Sequence, residues 1–177
     1  MAGWQVWRGL QNREVDILLS ATTITEERKR QVAFIEYAND PLVFTGRSNE
    51  PSEGKQSLRG KVLAVQNSTT AQATAERLQK SGVGFKEIRR YQATTEPFAA
   101  VRSNDAHFAL DHRLIAEHQC KGSNLRVLDV PELDLGPEPL GIALRLEAVA
   151  LRKALEDALR AMKEDGEFDQ IRNKWKP

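Results

Sequence analysis

From Lys61 to Leu128 the chain alternates short apolar runs with amphipathic stretches, and this alternation restricts the fold more than any other feature. Lys61 to Val65 reads as a strand, and Thr69 to Lys80 as a helix stopped by Ser81-Gly82. Lys86 to Arg90 reads as a strand, Thr95 to Arg102 as a helix, and His107 to Leu110 as a strand. His112 to Gln119 follows as a helix, and Leu125 to Leu128 as a further strand. Parallel strands need long crossovers, which helices supply, so this order predicts a mainly parallel sheet covered on both faces. Thr69 with Gln72 three residues later has the capping-box pattern that opens a helix.

Two turn-rich stretches bracket this block. Gly46 to Gln56 is polar, and Leu133 to Pro139 holds Gly136, Pro137 and Pro139. Outside them, Trp4, Trp7 and Leu10 fit a short helix, and Val15 to Leu19 fits a strand. Thr25 opens a helix through about Arg30, and Val32-Ala33-Phe34 leads to an extended run near Leu42-Val43-Phe44. Leu140 to Leu144 fits another strand. Leu151, Leu155, Ala158, Leu159 and Met162 share one helical face, and Gly166 suits its stop. Phe168, Ile171 and Trp175 form one more apolar face. The expected organisation is a discontinuous lobe, residues 1–46 with 135–177, and a second lobe, residues 47–134. A chain that leaves a lobe and returns is what a two-strand hinge needs.

The balance of 26 basic against 25 acidic residues, net +1, has no basic stripe, which argues against a nucleic-acid binder. No run approaches the roughly 18 apolar residues of a membrane span. Met-Ala-Gly-Trp-Gln has neither a positive nor an apolar signal region. Cys120 is the single cysteine, so no intrachain disulfide forms. His107, His112, His118 and Cys120 fit no zinc spacing, and no metal or cofactor is expected.

Arg28 carries the most specific chemistry. It follows an apolar strand and the run Ala21-Thr22-Thr23-Ile24-Thr25. A guanidinium fork matches a carboxylate two-pronged, and hydroxyls donate or accept beside it. Open α/β sheets put ligands at the carboxyl ends of strands. The spacing alone leaves two readings: half of a carboxylate site, or an N-cap at Thr25 with a solvated Arg28.

Five blocks in order resemble one family. Gly9-Leu10-Gln11-Asn12-Arg13-Glu14-Val15-Asp16 is similar to its helix-then-strand opening. Thr23-Ile24-Thr25-Glu26-Glu27-Arg28-Lys29-Arg30-Gln31-Val32-Ala33-Phe34 resembles its signature. Leu58 to Thr70 resembles its strand-to-helix turn, with Asn67-Ser68 departing from the usual small-Gly step. Phe108-Ala109-Leu110-Asp111 and Leu140-Gly141-Ile142-Ala143, with the tail Lys163 to Trp175, complete the match. The family is the bacterial periplasmic solute-binding proteins of polar amino-acid ABC transporters.

The resemblance implies a two-lobed α/β fold of type II periplasmic-binding-protein kind, with lobe 1 lacking the family's opening strand-helix-strand. It implies that Arg28 clasps a ligand α-carboxylate with the N–H groups of Thr23 and Thr70. It assigns the α-ammonium to Asp111, the carbonyl of Ala21 and the hydroxyl of Thr23. Gln66 and Ser68 would line the side-chain pocket. The expected ligand is a small polar amino acid held between lobes, and the expected partner is a transporter permease. The expected setting is the periplasm, with no catalysis. The absent opening segment leaves open a homodimer through lobe 1, or a truncated relative that no longer binds small ligands. An enzyme reading, a dehydratase-like relative, would need a general acid such as Glu138. As a bland reading, Asp111 caps the helix after it, and Glu138 is a hinge residue.

Overall fold

The computed structural model describes residues 8–51 and 54–174. Trp4 and Trp7 of the expected first helix, and Trp175 of the last apolar face, lie outside them. In chain order the elements are β1 (Ile17–Thr23), α1 (Glu26–Lys29), β2 (Ala33–Asn39), β3 (Leu42–Arg47), β4 (Val62–Gln66) and α2 (Thr70–Lys80). They continue as β5 (Glu87–Tyr91), α3 (Glu96–Arg102), β6 (Phe108–His112), α4 (Arg113–Cys120), β7 (Leu125–Leu128), β8 (Pro139–Leu144), α5 (Val149–Glu164) and α6 (Glu167–Lys174). The described residues divide into a central unit, residues 40–51 with 54–137, and an outer unit, residues 8–39 with 138–174.

The central unit holds a five-stranded sheet in the order β5-β4-β6-β3-β7. β4 runs parallel to β5 and β6, as the alternation predicts. β3 is antiparallel to both β6 and β7, so the sheet is mixed rather than mainly parallel. This strand also moves the first boundary to Asn39/Asp40, ahead of the expected break after residue 46. The reason is burial: every residue from Leu42 to Gly46 is inside. Gly46 is a packing glycine, not a linker glycine, since a Cβ there would lie 3.0 Å from both Leu128 and Phe108 side chains. One sheet face packs on α2 through Phe44, Leu63, Val65, Ala75, Leu78 and Phe108. The other packs on α3 and α4 through Val43, Ala64, Phe98, Val101 and Ala116. Each large side chain so buried contributes about 1.5–3 kcal/mol.

The outer unit is a three-stranded antiparallel sheet, β1-β8-β2. Leu18, Val32 and Ala143 pack with Leu10 on one face. Ala33, Ile35, Ile142 and Leu144 face the Leu151, Leu155 and Leu159 stripe of α5 on the other. β8 lies so tightly between its neighbours that a Cβ on Gly141 would stand 2.7 Å from Phe34 and 2.9 Å from Ile24. The register of β1 on β8 jumps between Leu18 and Thr22, and Ala21 within the bulge has φ +50°.

Candidate functional site

Arg28 is set by the turn that ends β1. Thr25 caps α1, its Oγ1 accepting the Arg28 N–H at 3.2 Å. The capping reading is therefore correct for Thr25, while the solvated reading of Arg28 is not. Arg28 is half-buried, and its Nη1 donates to the Thr23 carbonyl at 2.7 Å. Burial pulls its guanidinium below the ordinary arginine value, and the charges of Glu138 and Glu27 oppose that shift. Arginine stays charged under such a shift. Thr23 is buried, and Ala21 sits two residues before it with its peptide turned by the left-handed bulge. Ala21, Thr23 and Arg28 thus converge at one strand end of the outer unit.

The central unit builds the other set. Thr69 caps α2: its Oγ1 accepts the Gln72 N–H at 3.2 Å and donates to the Gln66 carbonyl at 2.7 Å. Gln72 Oε1 returns to accept the Ser68 N–H at 2.8 Å, a capping box shifted by one residue. That bond holds exposed Ser68 at φ +61°, the conformation glycine adopts freely. Thr70 is the first helical residue, where amides favour anions. Gln66 is occupied: its Nε2 donates to the Gln92 carbonyl at 3.1 Å, and its Oε1 lies 3.2 Å from Thr94 Oγ1.

Asp111 is the penultimate residue of the fully buried strand β6 and is 6% exposed. Its Oδ1 accepts the His112 N–H at 2.8 Å, and His112 Nδ1 lies 3.6 Å from the same oxygen. Its Oδ2 is buried with no hydrogen-bond partner among the described residues. Asp111 does not cap α4. The remote Asp40 does so, both its oxygens accepting the Leu114 N–H at 3.2 and 3.3 Å. Burial raises the Asp40 carboxyl, against that hydrogen bond and the charge of His112. The sequence reading missed Asp40; its signal was the Asn39-Asp40-Pro41 turn at the crossing. His112, which the sequence pattern assigns to the following helix, is the last residue of β6. Glu138 is 4% exposed and close enough for its charge to act on Arg28. Among the described residues no group of three or more His, Cys, Asp or Glu is arranged for a metal.

An α/β chain that crosses twice between two sheet-based units, with a charged group at a strand end in each, has the two-lobed periplasmic-binding-protein fold. The bacterial extracellular solute-binding proteins, family 3, match over residues 3–177, and the chain belongs to that family. The chain is 32% identical over 170 residues to the ABC transporter glutamine-binding protein GlnH of Bacillus subtilis (strain 168), covering 94% of this chain and 59% of that protein. It is 28% identical to a putative ABC transporter arginine-binding protein 2 of Escherichia coli (strain K12), covering 94% of this chain and 68% of that one. The chain thus spans about three fifths to two thirds of these relatives. The solved structure of an ancestral arginine-binding protein bound to glutamine superposes with a TM-score of 0.84 at 26% identity, covering 99% of this chain and 77% of that one.

Proposed function

We propose that this chain is the amino-acid-binding component of an ABC transport system. In this reading Arg28, with the N–H groups of Thr23 and Thr70, takes the ligand α-carboxylate. Asp111, with the Ala21 carbonyl and the Thr23 hydroxyl, takes the α-ammonium. The observation that carries the reading is the buried Asp111 Oδ2 without a described partner. A buried carboxylate oxygen is costly unless a cation or donor meets it, and an ammonium is both. Gln66 is held by the loop after β5, so in this reading it walls the side-chain pocket through a fixed amide. Ser68 lies beside it. The relatives named for glutamine and arginine support a polar amino acid as the ligand class, and the partner in this reading is a transporter permease. Membership of a family of extracellular solute-binding proteins supports an extracellular or periplasmic setting in this reading. Titration calorimetry with L-glutamine, L-arginine and L-histidine tests the reading. Heat of binding from at least one, lost in Arg28→Ala, is expected; silence from all three refutes it.

One observation favours a second property, self-association through the outer unit. Ile17 and Leu19 share a face of β1 and are 38% and 62% exposed, and Val15, just ahead of the strand, is 40% exposed. An uncovered apolar strand at a sheet edge invites pairing. A second copy is the occupant proposed. Sedimentation should give a dimer that Leu19→Lys converts to monomer, and a wild-type monomer at 100 µM, about the range where weak dimers form, refutes it.

A further inference from the structure

We propose that Glu138 is a positioning residue: its buried carboxylate is the resident counter-charge of Arg28, aiming the guanidinium and limiting its grip on any second carboxylate. This rests on the reading of Arg28 as the carboxylate-binding group. Both residues belong to the outer unit.

The ladder between β1 and β8 pairs Thr22 with Gly141 and Thr23 with Leu140. One step further, the Ile24 N–H donates to the Pro139 carbonyl at 2.7 Å. Glu138 is the residue immediately before Pro139. From there the chain turns into α1, and Arg28 reaches back to the Thr23 carbonyl at 2.7 Å. The guanidinium therefore returns to the strand end at which Glu138 enters β8. The Glu138 N–H is fixed by Asn39 Oδ1 at 3.2 Å. Its side chain is 4% exposed, and an ionised carboxylate so buried needs a positive neighbour. The charge of Glu138 is felt at Arg28, more strongly than that of exposed Glu27, which water screens. An arriving carboxylate thus meets an arginine already half-neutralised. Such a site holds its cation ready without ligand, and binds anions less tightly than a lone arginine would.

Two variants separate charge from geometry. Glu138→Gln keeps an acceptor oxygen and removes the charge, whereas Glu138→Ala removes both. In calorimetry with L-glutamine, L-arginine and L-histidine, Glu138→Gln should tighten binding by about tenfold, and Glu138→Ala should weaken it by a similar factor. A merely structural residue would move both variants in the same direction, and that result overturns the proposal. A ligand-free measurement keeps it independent of the transport reading. Phenylglyoxal attacks the neutral guanidine, so labelling of Arg28, read by peptide mass spectrometry, should run about threefold or more faster in Glu138→Gln. Glu138→Asp, which keeps the charge, should label near the wild-type rate. Equal labelling of wild type and Glu138→Gln, with both folded by circular dichroism, refutes the pairing even where an amino acid binds. Faster labelling supports it even where none does.

Discussion

Asp111→Asn should act with opposite signs on stability and on binding. Asp111 Oδ1 accepts the His112 N–H, while Oδ2 is buried and unmatched among the described residues. An unmatched buried acceptor costs about 1–3 kcal/mol, more when charged. Asparagine keeps the bonded oxygen and exchanges the charged orphan oxygen for a neutral, still unmatched NH2, and since the charged orphan costs more, the ligand-free protein should gain about 1 kcal/mol. For 177 residues that is a rise of about 2–4 °C in melting temperature. The bond from Oδ2 to a ligand ammonium is worth about 1.5–3 kcal/mol, so binding should weaken about 10- to 150-fold. Thermal melts by circular dichroism without ligand, and calorimetry with the tightest of the three amino acids above, measure the two sides. Asp40→Ala is the contrast: both Asp40 oxygens are engaged at Leu114, so its removal should cost about 1 kcal/mol as a lost helix cap. A less stable Asp111→Asn with unaltered affinity would refute the reasoning, because the orphan oxygen would then have neither penalty nor purpose.

Ser68→Gly should raise the urea midpoint, since a side chain at φ +61° costs about 1–2 kcal/mol and glycine's extra chain entropy returns only part of it; an unchanged midpoint counts against the strain. His107 Nδ1 accepts the Val62 N–H at 3.1 Å, which requires a neutral ring, and burial with the Lys61 charge lowers its titration from the ordinary value of 6.5. A lowered folded value stabilises above the unfolded value, so stability should fall as pH drops below about 6.5, and His107→Gln should flatten that part of the urea-midpoint profile. Gly141→Ala should cost about 1–3 kcal/mol in chemical denaturation, because its methyl meets Phe34 and Ile24 inside 3.0 Å. A variant as stable as wild type would mean that β8 has room to spare.

Elements with a period were legible in the sequence. The α2 cap, the β4-α2-β5 order and the α5 stripe each follow from residues within a short window. The placement of β3 was not, because pairing is a non-local property. Leu42-Val43-Phe44 announces an extended run but not the neighbours it inserts between, and Gly46 looks like a turn residue until Phe108 and Leu128 close on it. The site divides in the same way. Arg28, Thr23 and Asp111 stand in recognisable runs, so their candidacy was visible. Asp40 acts on a helix 74 residues downstream, and Glu138 on an arginine more than a hundred residues upstream. No local pattern reports such partners. The sequence points Gln66 toward a pocket, but its amide is already engaged by Gln92 and Thr94, which lie a strand and a loop away.

The seating of β3 carries a practical lesson for anyone wishing to excise the central unit as a stand-alone protein. A cut at the polar stretch after Gly46, where composition invites it, would pull out a rung flanked on both sides and unzip the ladders to β6 and β7 together. Scissors placed before Asp40 would spare that rung and also retain the acid that crowns α4.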